Sequence, residues 1–178
     1  MPEPGTIFTI GHSTRPLAEL VALLREAGVA VLVDVRSVPR SRANPQFNTE
    51  TLAPALAAAG IAYHHLPALG GLRGRRRGAA ASRNTLWQVE AFRNYADYAL
   101  TAAFRAGLDA LVAWAGERRA AIMCAEAVWW RCHRRIIADH LLARGIPVAH
   151  IMGPGKIVPA TLTPGARLLA GGGVVYPG

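Results

Sequence analysis

The stretch Ala121–Arg135, AIMCAEAVWWRCHRR, decides how the chain is read. An apolar run, Ala120 to Met123, ends in Cys124. A short segment carries Glu126 and the pair Trp129 and Trp130. Arg131, Cys132, His133, Arg134 and Arg135 then open an apolar-periodic segment from Ile136 to Leu142. The pattern predicts strand, loop and helix N-terminus in succession. Proteins of α/β type place ligands at such junctions. Free N–H groups and the positive end of a helix dipole meet there.

Outward from this stretch, strands and helices alternate. Ile7–Ile10 reads as a buried strand, followed by Gly11, His12, Ser13 and Thr14. Pro16 starts a helix with Leu17, Leu20, Val21 and Leu24 on one face, closed at Gly28. Val29–Val35 is apolar except for Asp34, as in a central parallel strand. Arg36–Asn48 is a loop, Thr49–Ala59 a helix and Ile61–Leu66 a third strand. Pro67–Asn84 lacks apolar periodicity and is expected to be a mobile loop. Leu86–Thr101 and Phe104–Gly116 read as helices, and Ala120–Cys124 as strand four. Cys132–Arg144 is the next helix, and Val148–Ile151 strand five. Residues 1–152 are expected to form a single α/β domain, with 153–178 a Gly/Pro-rich tail packed on it or trailing from it. The predicted class is a three-layer α/β/α fold with a mostly parallel sheet of about five strands, Rossmann-like or rhodanese-like.

Composition narrows the functional classes. Of 178 residues, 52% are hydrophobic, enough for a large core. No uncharged apolar run reaches the roughly 18 residues of a membrane span, so no membrane association is expected. The opening MPEPGTIFTIGHS has no basic or long apolar region of a signal peptide, and the expected location is the cytoplasm. Two cysteines eight positions apart do not make a disulfide framework. Reduced thiols, a metal site or a catalytic thiol remain. Neither a Walker A pattern nor a GxGxxG fingerprint occurs. Net charge is +9, from 20 basic and 11 acidic residues. The excess gathers at Arg36, Arg40 and Arg42, at Arg73, Arg75, Arg76, Arg77 and Arg83, and at Arg131, Arg134 and Arg135. Such clusters attract an anionic small molecule or nucleic acid.

Ligands of parallel sheets bind at the carboxyl ends of the strands. Polar residues stand there after four of the strands: His12 and Ser13, Asp34 and Arg36, His64 and His65, Cys124 and Glu126. The catalytic candidates are Cys124, Glu126 and His12. Beside a helix N-terminus and arginines, the Cys124 thiol becomes a nucleophile. The alternative is a buried small apolar residue. His12 and Glu126 supply acid and base groups. Ser13, Asp34, Arg36, Arg40, Arg42, His65, Cys132, His133 and Arg134 are candidates for substrate binding, guanidinium forks matching phosphate or carboxylate. In the alternative, Asp34 and Glu126 pair with Arg36 and Arg134 and only brace the loops. Cys124, Glu126, Cys132 and His133, with His12 or His65, offer mixed metal ligands. Adjacent residues on a helix point about 100° apart, so Cys132 and His133 seldom share one ion. No cofactor is predicted, and a divalent metal is the weaker alternative. Trp129 and Trp130 either stack a nucleobase or cover the core.

Several motifs together resemble the bacterial and archaeal family known as domain of unknown function 488. They are Thr9-Ile10-Gly11-His12-Ser13, Asp34-Val35-Arg36 with Pro39 and Ser41, and Phe47-Asn48. His65-Leu66-Pro67, Leu69-Gly70-Gly71, Cys124-Ala125-Glu126 and Cys132-His133-Arg134 complete the set. The resemblance covers residues 6 to 151 and implies no particular reaction. The strand-end cysteine also resembles the cysteine loops of rhodanese-like and tyrosine-phosphatase-like proteins, although this loop has no glycine. The residues themselves read as a hydrolase or transferase with a Cys/Glu/His/Arg pocket for a phosphorylated or nucleotide-like substrate. The alternative is a non-catalytic nucleic-acid-binding module using the Arg-rich loops. The oligomeric state is left open. Two expectations are geometric. His12, Arg36, His65, Cys124, Glu126 and Arg134 should surround one cavity, and Arg134 should help hold an anion at the N-terminus of the helix near Cys132.

Overall fold

Strand side chains alternate between the two faces of a sheet, and that alternation sorts this chain. A computed structural model describes residues 2–75 and 77–178. Its strands β1 (Ile7–Gly11), β2 (Val31–Asp34), β3 (Ala62–His65), β4 (Ala120–Cys124) and β5 (Val148–Gly153) run parallel. A sixth strand, β6 (Lys156–Pro159), lies antiparallel to β5 and ends the sheet, whose order is β3-β2-β4-β1-β5-β6. The expected tail thus supplies an edge strand, and strand five runs two residues further than its apolar run suggested.

Five helices cover the sheet: α1 (Leu17–Glu26), α2 (Thr49–Ala58), α3 (Glu90–Tyr98), α4 (Ala102–Glu117) and α5 (Arg134–Ala143). Phe8, Ile10, Leu32, Ala121 and Met123 point to one face and pack on Leu20, Leu24, Leu52 and Leu56 of α1 and α2. Ile7, Val31, Val33, Ile122 and Cys124 point to the other. There they meet Tyr95 of α3, Phe104 and Leu108 of α4, and Ile136, Ile137 and Leu141 of α5. The result is the three-layer α/β/α fold. Among the described residues no helix is long and apolar enough to cross a membrane.

Two helix starts differ from the sequence reading in ways that matter for the site. Helix α3 begins at Glu90 rather than Leu86, because the Leu86 amide donates to the Tyr176 carbonyl at 3.0 Å instead of entering a helix. Helix α5 begins at Arg134, so Cys132 lies just before it. The tail also folds further than periodicity could show. A two-residue pair, β7 (Arg167–Leu168) and β8 (Val174–Val175), brings Val174 and Tyr176 into the core. The Tyr176 hydroxyl donates to Asp139 Oδ2 at 2.7 Å, and its amide donates to Asn84 Oδ1 at 2.9 Å.

The long loop is anchored at both ends. Arg73 donates to the carbonyls of Gly70 and Pro67 and lies 3.8 Å over the Tyr98 ring. Ser82 and Asn84 both donate to Asp97. The expectation for Arg76 lies outside the described residues. Between those anchors, no hydrogen bond from the loop is found among the described residues from Gly74 to Ala81.

The end of β1 is shaped by a close approach. A Cβ on Gly11 would stand 1.8 Å from the Glu126 carbonyl oxygen. Gly11→Ala is therefore expected to destabilise the protein by about 1–3 kcal/mol, the usual cost of overpacking, or more. Gly116→Ala serves as the control. Gly116 lies in α4 with nothing within 4 Å of an added Cβ, and alanine favours helix. Thermal unfolding of the two variants checks this, and equal melting temperatures would contradict it.

Candidate functional site

Cys124 ends β4 on the face that carries α5, so strand alternation alone brings it beside the start of that helix. A cavity of about 470 Å3 opens there. Its walls include Arg36, Arg40, Gly71, Tyr95, Cys124, Glu126, Arg131, Cys132 and His133. Both cysteines are free and buried.

The Cys132 sulfur is a point of convergence. His133 Nδ1 lies 3.4 Å from it, and the Arg134 backbone N–H donates to it at 3.4 Å. The other ring nitrogen, His133 Nε2, lies 2.8 Å from the Val35 carbonyl and must be its donor. That bond turns the Nδ1 edge of the ring to the Cys132 sulfur. Burial alone would push the Cys132 thiol up. The hydrogen bond from Cys124, the charge and hydrogen bond of His133, and the Arg134 guanidinium outweigh it and hold the thiol well below its ordinary value. Cys124 moves the opposite way. Burial raises it, and donation to the Cys132 sulfur raises it further. Its proton also faces the Glu126 carbonyl, 3.6 Å away.

Glycine makes room for this pair. A Cβ on Gly71 would lie 2.7 Å from His133 Nδ1, and one on Gly70 2.5 Å from Ser37 Oγ. The Gly70-Gly71 doublet is visible in the sequence, but its role depends on His133, far away in the chain. Tyr95, on the cavity wall, is another residue that the sequence did not single out. Its hydroxyl donates to the Leu69 carbonyl at 2.8 Å.

The remaining strand-end residues belong to a different structure. Asp34 is fully buried on the opposite face of the sheet. It accepts Arg36 Nε at 2.9 Å, Arg36 Nη2 at 2.7 Å, the Arg36 amide at 3.1 Å and the Tyr63 hydroxyl at 2.5 Å. Burial opposes the Arg36 charge, but the bonds to Asp34 raise its pKa. Tyr63 is pushed up to about 12, first by burial and then by its bond to Asp34. His12 lies under Phe47, ring centroids 4.3 Å apart, with Nδ1 against the Ser13 carbonyl and Nε2 against Arg36. His12 and Ser13 do not line the cavity. Ser13 instead turns the chain, with φ of +50°. His65 Nε2 donates to the Arg36 carbonyl at 2.7 Å and also stays off the cavity. Arg36 reaches the cavity wall but spends its guanidinium on Asp34 and on the Phe47 carbonyl. Arg40 pairs with Glu50 at 2.8 Å at the rim, and Arg42 is exposed away from it.

Arg134 corrects a second expectation. It is 1% exposed and faces away from the cavity. Nη1 donates to Thr9 Oγ1 at 3.0 Å and Nη2 to the Glu126 carbonyl at 2.8 Å. The carboxylate of Glu126 takes no part. Thr9 Oγ1 in turn meets His150 Nδ1 at 2.6 Å, and Trp129 stacks on His150 at 4.6 Å. Trp129 therefore covers buried polar groups rather than standing ready for a base. Of the six residues expected around one cavity, Arg36, Cys124 and Glu126 line it, while His12, His65 and Arg134 do not. The described residues include no group of three or more His, Cys, Asp or Glu placed to hold a metal ion.

A family model described as Domain of unknown function DUF488 matches residues 16–141. No curated protein and no solved structure matches the chain.

Two outcomes follow from the Arg134 bracket. Arg134→Ala leaves a cavity and strips the Glu126 and Ala127 carbonyls and Thr9 of a donor, so a loss of about 3 kcal/mol or more is expected in chemical denaturation. A loss below about 1 kcal/mol would mean that water replaces the guanidinium. The second outcome concerns acid. Burial, then the Arg134 charge, lowers His150 from 6.5 to about 3. Burial, then Arg144, lowers His140 from 6.5 to about 4. Both rings are neutral in the fold, so their contribution is complete above pH 6.5 and is lost as pH falls through the folded values. Each contributes a slope of about 1.4 kcal/mol per pH unit within its window. Asp139, raised by burial, acts with the opposite sign. Denaturation across that window should show a shallower acid slope for His150→Gln than for the unsubstituted protein. Equal slopes would contradict the assignment.

Proposed function

The chain belongs to the family of Domain of unknown function DUF488, and within it we propose that this protein is a cysteine-dependent hydrolase or transferase acting on a small anionic substrate. The nucleophile in this reading is Cys132, in place of the Cys124 favoured by the sequence. One observation carries it: the Cys132 sulfur lies on the wall of a cavity and faces both His133 Nδ1 and the Arg134 amide. A thiolate held by an imidazolium is the activated state that covalent catalysis uses.

The chemistry that such a site supports is balanced without a further reagent. Cys132 Sγ attacks an acyl carbon or a phosphorus. The bond to sulfur forms as the bond to the leaving oxygen breaks, and the leaving oxygen takes the proton from His133 Nδ1. Water then attacks the thioester or thiophosphoryl bond, gives its proton back to His133, and the thiolate is restored. A hydroxyl acceptor in place of water makes the same sequence a transfer. Glu126 is exposed at the rim and supplies a second base. Arg131, exposed on the same wall, has no ion-pair partner among the described residues and is the cation placed to meet the substrate's charge. Cys124, whose thiol donates to the Glu126 carbonyl beside the same cavity, acts as a positioning residue.

Alkylation by iodoacetamide tests this reading. An ordinary cysteine, with a pKa of about 8.5, loses reactivity as the pH falls below that value. Cys132 is expected to keep its reactivity to lower pH than an ordinary cysteine, because its surroundings favour the thiolate. Cys132→Ser should abolish the modification, and His133→Ala should move the profile to higher pH. A profile that rises only in the alkaline range, or modification confined to Cys124, would overturn the proposal.

A further inference from the structure

A second cavity lies at the other end of α5. It measures about 490 Å3 and holds no residue of the cysteine site. Arg83, Arg105 and Arg144 stand on its wall. Arg144 pairs with Asp109 at 2.6 Å, the only carboxylate hydrogen-bonded to any of the three among the described residues. Arg83 and Arg105 are exposed, and among the described residues neither has an ion-pair partner. His140 lines the same space. It is 2% exposed, and its Nε2 is buried with no hydrogen-bond partner among the described residues.

A buried ring nitrogen without a partner is a group waiting for one, because its desolvation is otherwise uncompensated. The opposite wall is backbone. Gly171 and Gly172 hold φ of +91° and +97° in the loop between β7 and β8, where side chains are disfavoured. The Gly171 amide has no acceptor among the described residues. The rest is apolar: Leu100, Phe104, Leu108 and Leu169.

We propose that this cavity binds a small organic phosphate, with its phosphoryl group toward Arg83, Arg105 and the His140 ring and its apolar body on the leucines. Guanidinium forks match phosphate oxygens two at a time. An imidazole N–H at His140 Nε2 adds a neutral donor at depth. The apolar wall distinguishes an organic phosphate from inorganic phosphate, which would leave it unfilled. The proposal is independent of the chemistry at Cys132. From the helical rise, the two cavities are separated along α5 by roughly 15 Å.

Titration of the full chain with phenyl phosphate, and with inorganic phosphate beside it, tests the site. Calorimetry should show saturable binding, tighter for phenyl phosphate. The double substitution of exposed residues, Arg83→Ala with Arg105→Ala, should weaken it about tenfold or more. Cys132→Ser should leave it unchanged, and the His140 ring resonances should shift on binding. Absence of saturable binding would overturn the proposal. So would equal affinity of the double variant, or loss of binding in Cys132→Ser, which would place the anion in the cysteine cavity. Binding of duplex nucleic acid without a response to phenyl phosphate would overturn it as well, in favour of a surface that reads phosphate backbones.

Discussion

A single buried cation organises the functional end of this molecule. The Arg134 guanidinium leaves water with no carboxylate to meet it, and it is held by neutral acceptors from two other parts of the chain. Thr9 belongs to β1, and Glu126 and Ala127 to the loop after β4. Arg134 itself opens α5. Burying a charge is costly unless its donors are used. Nη1 and Nη2 are used here, while Nε finds no partner among the described residues. The bracket fixes the loop that joins the two cysteines. Its charge also acts beyond its contacts, adding to burial in lowering His150 and, after Cys124 and His133, to the lowering of Cys132.

The fold was legible because its signals are local. Apolar runs marked β1 to β4 closely, and the apolar stripe of α1 marked one of their covers. The site was only half legible. The carboxyl-end rule locates an edge of the sheet, and His12, Asp34, Arg36 and Cys124 do all stand at it. It does not say which face each one takes. Alternation sends Cys124 toward α5 and sends Asp34 and His12 toward α2. What looked like one pocket is therefore a cysteine pair on one face and a buried ion-pair lock on the other. Counting along each strand from its apolar residues would have separated them.

Other features had no local signal. The sequence marked Cys132 and His133 as neighbours, but the approach of His133 Nδ1 to the Cys132 sulfur depends on Val35 fixing the ring and on Gly71 leaving space for it. Whether the tail packs on the domain or trails from it could not be read from the sequence, because its strands are too short for any periodicity. Tyr176 and Asp139 lie 37 positions apart, and only the assembled structure joins them.

The last strand of the sheet has a consequence for self-association. A sheet edge exposes N–H and C=O groups that invite a strand from another molecule. Here β6 reverses direction, carries Lys156 at its start and closes on Pro159, which has no N–H to offer. A register shift between Ile151 and Gly153 bends the pairing just before that edge. Charge, a missing donor and a bend are the devices by which natural sheets refuse further growth. These features leave a strand from a second copy a short and interrupted ladder at β6.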